Sequence, residues 1–432
     1  MNLRRNALLL ALLTALIAVL GDWSGIHLLN LAWRLPAGLL LLGLAYESIV
    51  ANAARVSLHI DTAKQWFLGR SSPLQLRFAQ QLRRPLLIEF APSAPATFSM
   101  DFEVLSLRIP IAEPALSELQ ATPRRLGNHA WPAMRIRIAG PLGLAWWSKQ
   151  INTDCQVRVL TDLLRSTPEA QGLGHIGSRH SAKLGAGAEL LQLRQYQPGD
   201  PPRIVDWKAS ARAQRLVSRD FTEDQHLEIV IAIDAGRSSG LRAGELDRYG
   251  HYVNVAARLA QFAVTQDDLV GLVVFADQPL LALPPARGNA AVVRIRNALA
   301  NTQVLDSESN PLQATLRVRS LVRQRSLVIL LTDLDDATAA SQLLSAVRLL
   351  LPKHLPFIAG LSSAAAESLS QAPAREWLDP YQALAAQEYC TGLERKVQAL
   401  RALGAPALVA KPAQLERAVF EAYANFRQRR RV

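Results

Sequence analysis

Two aspartates and a serine are the residues best placed to do chemistry in this sequence. The run Ile231-Ala232-Ile233-Asp234-Ala235-Gly236-Arg237-Ser238-Ser239 closes one apolar stretch, and Leu330-Leu331-Thr332-Asp333-Leu334 closes another. If the two stretches are neighbouring strands, Asp234 and Asp333 meet beside the hydroxyl of Ser238. Hard divalent cations prefer oxygen ligands in octahedral geometry and keep several waters, so one or two carboxylates plus a hydroxyl suit Mg²⁺. A D-x-S-x-S turn after a buried strand aims its first, third and fifth residues at one point. Here Gly236 stands in the middle, and the turn supplies Asp234 and Ser238 alone. The plainer alternative is that both aspartates cap the helices that follow them.

Two further patterns compete for the same chemistry. Gly236-Arg237-Ser238-Ser239-Gly240 spells G-x-S-x-G, and Asp333 and His354 follow in the order of a serine hydrolase triad with Ser238 as nucleophile. An elbow of that kind needs a helix that starts at the serine, whereas Ser239 to Gly244 is polar and glycine-bearing, so the hydrolase is the second reading. Gly172-Leu173-Gly174-His175-Ile176-Gly177 spells the dinucleotide fingerprint but has no apolar strand before it and no periodic helix after it. A loop is expected there, with His175 and His180 solvated.

The elements that must position these residues lie downstream of Leu227. Continuous apolar runs at 227–233, 269–275, 280–283, 326–331, 356–361 and 405–409 alternate with helical stretches at 245–265, 291–301, 311–322, 337–350, 384–403 and 413–427. Continuous apolar strands that alternate with helices predict an α/β domain, a doubly wound and mostly parallel sheet covered on both faces. Ligands of such sheets sit at the carboxyl ends of the strands, where Asp234 and Asp333 stand.

The first half has a different texture. Between Arg55 and Leu160, short runs such as Leu74-Gln75-Leu76-Arg77-Phe78 and Met134-Arg135-Ile136-Arg137-Ile138 alternate with period 2 between Pro and Gly, which predicts a small antiparallel β-sandwich. Ahead of it, Ala7–Leu20 and Leu35–Val50 are apolar runs joined by a short turn. No A-x-A-like cleavage site follows the first, so a transmembrane helical hairpin is expected rather than a signal peptide. Glu47 is then expected near an interface. Arg4 and Arg5 precede the hairpin and Arg55, Lys64, Arg70, Arg77, Arg83 and Arg84 follow it, which by the positive-inside rule places both ends in the cytoplasm. The expected division is 1–54 hairpin, 55–165 β-sandwich, 166–226 linker and signature segment and 227–432 α/β domain.

Composition agrees with a chain that touches a membrane. Of 432 residues 50% are hydrophobic and 19% charged, against about 25% charged in ordinary soluble domains. The formal charge of +12 calls for an anionic neighbour. No nucleic-acid motif is present, and 6% aromatics leave little for base stacking, so nucleic acid is not the expected partner. Membrane lipid is, through the residues after Val50 and the basic tail Arg427-Gln428-Arg429-Arg430-Arg431. Cys155 and Cys390 are too far apart for a zinc or redox motif, and no disulfide framework is indicated.

The densest stretch runs from Glu189 to Arg212. Pro198-Gly199-Asp200 is a turn, and Arg194, Arg203, Lys208, Arg212, Arg215 and Arg219 crowd around Asp200, Asp206 and Trp207. The cluster is either an internal salt-bridge lock or a basic surface for an acidic partner. Tyr196-x-Pro198-Gly199-Asp200-x-x-Arg203-x-x-Asp206-Trp207-x-x-Ser210-Ala211-Arg212 resembles the signature of the bacterial domain-of-unknown-function 58 family, together with Arg194 just before it. The N-terminal hairpin, the β-domain, Pro141-Leu142-Gly143-Leu144 and the strand end at Asp234 resemble that family's layout as well. The resemblance implies a von Willebrand factor A-like domain on a bacterial inner-membrane anchor. It also implies a metal-ion-dependent adhesion site, carried here by Asp234, Ser238 and Asp333, and work with a MoxR-type AAA+ ATPase. Such a protein recognises partners and catalyses nothing; Gly236, and the lack of a clear threonine ligand between the second and fourth strands, set it apart from the family's metal motif.

Overall fold

A computed structural model describes residues 2–24, 31–100, 103–111, 113–163, 184–222, 226–335 and 337–429. The chain divides into two compact units, Met1–Leu160 and Thr161–Val432. The G-x-G-x-x-G stretch with His175 and His180 lies outside the described residues.

The first unit opens with a two-residue strand β1 (Asn2–Leu3) and two helices, α1 (Arg5–Ser24) and α2 (Arg34–Ala53), packed against each other. Both are long and apolar enough to cross a membrane. Most of their leucines, such as Leu12, Leu35 and Leu42, are exposed. Eleven short strands follow: β2 (Val56–Asp61), β3 (Gln65–Phe67), β4 (Ser72–Gln80), β5 (Leu86–Phe90), β6 (Phe98–Met100), β7 (Leu105–Ile109), β8 (Ala115–Pro123), β9 (Gly127–Ala130), β10 (Met134–Ala139), β11 (Ala145–Ile151) and β12 (Gln156–Leu160). They form a sheet in the order β1-β11-β10-β5-β7, a second in the order β2-β4-β8-β6, and a three-stranded β3-β12-β9. Alternation explains the core. Leu74, Leu76 and Phe78 of β4 and Met134, Ile136 and Ile138 of β10 are buried, and the Phe78 and Phe90 rings meet across the two larger sheets at 4.8 Å.

Glu47 is the polar exception within α2. It is fully buried, and its carboxylate accepts the backbone N–H groups of Leu142 (2.9 Å), Leu144 (3.0 Å) and Ala145 (2.9 Å). A buried carboxylate is costly unless donors surround it. These three hold the end of the second apolar helix to the turn before β11, and Gly140 is required beside them because a Cβ there would collide with the carboxylate.

In the second unit an antiparallel pair comes first, β13 (Leu184–Gln195) with β14 (Val217–Thr222), and α3 (Trp207–Ala213) lies between them in sequence. The main sheet contains β15 (Glu228–Asp234), then, after the small hairpin β16 (Arg242–Ala243) and β17 (Leu246–Asp247), β18 (Leu269–Phe275), β19 (Pro279–Ala286), β20 (Leu327–Leu331), β21 (Leu355–Leu361) and β22 (Ala407–Ala410). Its order is β19-β18-β15-β20-β21-β22, with every pairing parallel except that of the edge strand β19. The helices are α4 (Arg248–Thr265), α5 (Gly288–Leu299), α6 (Pro311–Leu321), α7 (Ala337–Leu350), α8 (Ala364–Gln371), α9 (Asp379–Ala402) and α10 (Pro412–Arg429). One face of the sheet packs Val230, Val328 and Ile358 against α6, α7 and α9. The other is covered by α4 and α10, where Phe262 meets Phe420 and Tyr423. The parallel-rich α/β sheet is thus present.

β13, α3 and β14 lie within the stretch expected to hold the linker and the signature segment. One expectation is corrected. Arg427 is not part of a free basic tail: its guanidinium turns inward to the carbonyl of Gln266 (2.7 Å) and to the buried Asp268 (3.4 Å), closing α10 onto the sheet. Arg430 and Arg431 lie outside the described residues.

Candidate functional site at the carboxyl edge of the sheet

β15 and β20 are adjacent and parallel, with Ile233 opposite Leu331, so their carboxyl ends deliver Asp234, Thr332 and Asp333 to one place. Asp234 is fully buried. Its Oδ1 accepts from Ser309 Oγ (2.5 Å) and Gly236 N (2.8 Å), and its Oδ2 accepts from Thr332 Oγ1 (2.6 Å). Burial pushes its carboxyl up, while Ser309, Thr332 and the Gly236 amide pull it back.

Asp333 faces a different set of neighbours. Its Oδ1 accepts from Tyr252 (2.6 Å) and pairs with Arg248 (3.1 Å), while Ser239 Oγ reaches Oδ2 at 3.4 Å. Arg248 also grips Asp335 at 2.6 Å, and Tyr389 donates to Asp335 at 2.7 Å. Arg248 begins α4, where Asp247 caps the helix by accepting from Gly250 N (2.7 Å), and its side chain is 6% exposed. Burial pushes the Asp333 carboxyl up to about 6; Arg248 and Tyr252 lower it, and Asp234 and Asp335 add to the rise. The two aspartates hold the guanidinium charged against its own burial.

Of the three residues expected to share a metal, the fold therefore brings Asp234 and Asp333 to the same edge but gives them separate partners. Ser238 joins neither. The short 3₁₀ turn at Arg237–Gly240 buries Ser239 and leaves Ser238 half exposed, so Ser239 is the hydroxyl that faces Asp333. Gly236 has a local cause: a Cβ there would collide with Ser309 Oγ. Ser309, in the loop before α6, thus lends Asp234 the hydroxyl that position 236 lacks. Ser309 lies seventy-five residues along the chain from Asp234.

These residues do not fit a bound Mg²⁺. Both oxygens of Asp234 already hold donors, and the positive charge beside Asp333 is the guanidinium of Arg248, which an ion in that place would have to expel. Among the described residues no group of three or more His, Cys, Asp or Glu is arranged to hold a metal. Nor does a triad assemble. His354 precedes β21, at the edge opposite the one that carries Ser238 and Asp333, and its backbone N donates to Leu350 O (2.7 Å).

The Glu189–Arg212 stretch divides in two. Arg194 donates two hydrogen bonds to Asp200 (2.8 Å each) and one to Asp220 (2.9 Å), Ser218 donates to Asp200 (3.0 Å), and Tyr196 donates to the Asp200 carbonyl (3.3 Å). Gly199 takes φ +108 in the Pro198 turn, a conformation that suits glycine. Asp206 caps α3 by accepting from Ala209 N and pairs with Arg219, both at 2.9 Å, and Ser210 Oγ accepts from Val217 N (2.9 Å). Arg194 and the amide of Gln197 hold the Asp200 carboxyl far below the usual range. This half is the internal lock. The other half, Arg203, Trp207, Lys208, Arg212 and Arg215, is exposed, with Trp207 66% accessible.

Three solved structures resemble part of the chain. A conserved hypothetical protein BatB from Bacteroides thetaiotaomicron matches at 12% identity and a TM-score of 0.31, covering 48% of this chain and 98% of that one. Proximal thread matrix protein 1 from the mussel byssus matches at 12% identity and a TM-score of 0.27, covering 46% of this chain and 45% of that one. A protein of unknown function from Porphyromonas gingivalis W83 matches at 14% identity and a TM-score of 0.18, covering 25% and 48%. No curated protein matches the chain. Residues 192–355, which run from the signature stretch to the start of β21, match the family described as "Protein of unknown function DUF58", and this match supports placing the chain with that family.

Proposed function

We propose that this protein is a membrane-anchored, non-catalytic binding factor whose second unit recognises a partner protein without a metal ion. The exposed row Arg203, Trp207, Lys208, Arg212 and Arg215 carries the reading. It is presented by a segment whose other charges are spent on holding it rigid, and Trp and Arg are the side chains most enriched at binding hot spots. The partner's complementary surface is acidic. The family resemblance points to a MoxR-type AAA+ ATPase, with the two apolar helices in the inner membrane and the rest of the chain in the cytoplasm. At the sheet edge, Arg248 stands in for a metal as the cation of Asp333 and Asp335, and the edge serves as scaffold.

The test is a pull-down of a purified MoxR-type ATPase by the full chain in detergent. Binding is expected to survive EDTA and to fall at least about tenfold, the equivalent of ~1.4 kcal/mol, in Trp207→Ala/Arg212→Ala. Binding that vanishes in EDTA, or that ignores the double substitution, overturns the reading.

A further inference from the structure

At the foot of the helical hairpin the first unit contains a cavity of about 470 Å³. Three arginines from three separate segments line it: Arg4, just before α1; Arg84, in the turn between β4 and β5; and Arg108, in β7. No acidic residue lines it. The carboxylate of Glu47, which lies against Gly140 of the wall, is turned onto the amides of the 142–145 turn. The rest of the wall is apolar and includes Val50 and Ala51, the last turn of α2, and Leu142, which is 52% exposed.

Each arginine is held through its backbone, and Arg4 also through stacking on an aromatic ring. Arg4 donates its backbone N–H to Leu144 O (2.8 Å) and stacks its guanidinium over Trp146, 4.7 Å from the ring centroid. The Arg84 carbonyl accepts from Gln80 Nε2 (2.7 Å). Arg108 sits opposite Leu87 in the β5–β7 ladder. Among the described residues, none of the three has a carboxylate partner. Elsewhere in the chain Arg77, Arg194, Arg219, Arg248 and Arg258 all do.

We propose that this cavity binds the headgroup of an anionic phospholipid. Guanidinium groups bind phosphate oxygens bidentately, and basic pockets beside the ends of membrane helices take anionic headgroups. The cavity lies where α1 begins and α2 ends, the depth at which a headgroup layer meets two spanning helices. Leu87 and Leu142 then border the acyl chains. The proposal rests on the membrane-anchor reading and adds a stoichiometric site to it.

The full chain in neutral detergent is titrated with phosphatidylglycerol or with phosphatidylcholine, and retained lipid is counted by native mass spectrometry. One phosphatidylglycerol is expected per chain, with phosphatidylcholine not retained. Arg84→Ala/Arg108→Ala is expected to weaken retention about thirty-fold, roughly a factor of five per cation. Arg135→Ala/Arg137→Ala, with the same change of charge on exposed positions of β10 outside the cavity, is expected to leave it unchanged. Equal retention of the two lipids, equal loss in both double variants, or displacement by millimolar inorganic phosphate as readily as by phosphatidylglycerol overturns the site. Flotation of wild type with phosphatidylcholine vesicles separates the two readings: a chain that floats without selective retention loses only the headgroup site, and one that does not float loses the anchor as well.

Discussion

Arg248 in the second unit and Arg84 with Arg108 in the first carry the same charged group in opposite circumstances. Arg248 is buried and surrounded by Asp333 and Asp335; the cavity arginines border solvent and have no carboxylate partner among the described residues. A buried guanidinium with two aspartates is committed to the fold, since removing it strands two carboxylates. A partly exposed guanidinium with no partner contributes little to stability and keeps its charge for a ligand. Arg194, paired but half exposed, is the intermediate case.

The difference is largest on substitution. Arg248→Met is expected to cost the second unit ~3–5 kcal/mol, because the buried Asp333 and the partly exposed Asp335 are left without their cation. Chemical denaturation of the full chain, followed by a probe in that unit, measures it. Arg84→Ala/Arg108→Ala is expected to stay within about 0.5 kcal/mol of wild type in the same assay. A large loss there would mean that the cavity arginines are structural.

A smaller effect probes the hydroxyl that crossed the site. Gly236→Ala is expected to cost ~1–3 kcal/mol through overpacking against Ser309, and adding Ser309→Ala to recover part of it, so the double-mutant cycle gives a coupling of ~1 kcal/mol or more. Additive effects would show that Gly236 and Ser309 do not share the space.

A pH effect is expected at Asp333. Its carboxyl is raised in the folded protein to about 6, above an unfolded value near about 3.9. Its contribution to stability is therefore complete below pH ~4 and is lost as pH rises through about 6. A difference infrared titration of wild type against Asp333→Asn should show one carboxyl band changing near pH 6. A band that titrates near pH 4 would mean that burial does not dominate this group.

Much of the architecture was legible. The six strands of the main sheet are continuous apolar runs, and the β-domain shows its alternation, because burial on two faces or on one imprints itself directly on residue order. The β13–β14 pair was missed because Leu184-Gly185-Ala186-Gly187-Ala188 carries no periodicity. Helix α4 starts at Arg248 rather than near Glu245 because Gly244 turns at φ +75 and Asp247, not an earlier residue, supplies the cap.

The candidate site was half legible. Asp234 and Asp333 could be read from strand ends, but their partners are distant in sequence: Ser309 from the loop before α6, Tyr252 and Arg248 from α4. One signal was present at Ser309, since Asn310-Pro311 marks a helix start and a residue just ahead of one sits at the same sheet edge. The choice of Ser239 over Ser238 depended on a single 3₁₀ turn that spacing alone does not determine.

The central claim is that the carboxyl edge of the sheet carries its own cation. Isothermal titration of the full chain with Mg²⁺, paired with melting in Mg²⁺ and in EDTA, tests it most directly. No saturable heat and the same melting temperature in both are predicted. Saturable Mg²⁺ binding that is abolished by Asp234→Asn would contradict the claim and restore a metal to the site.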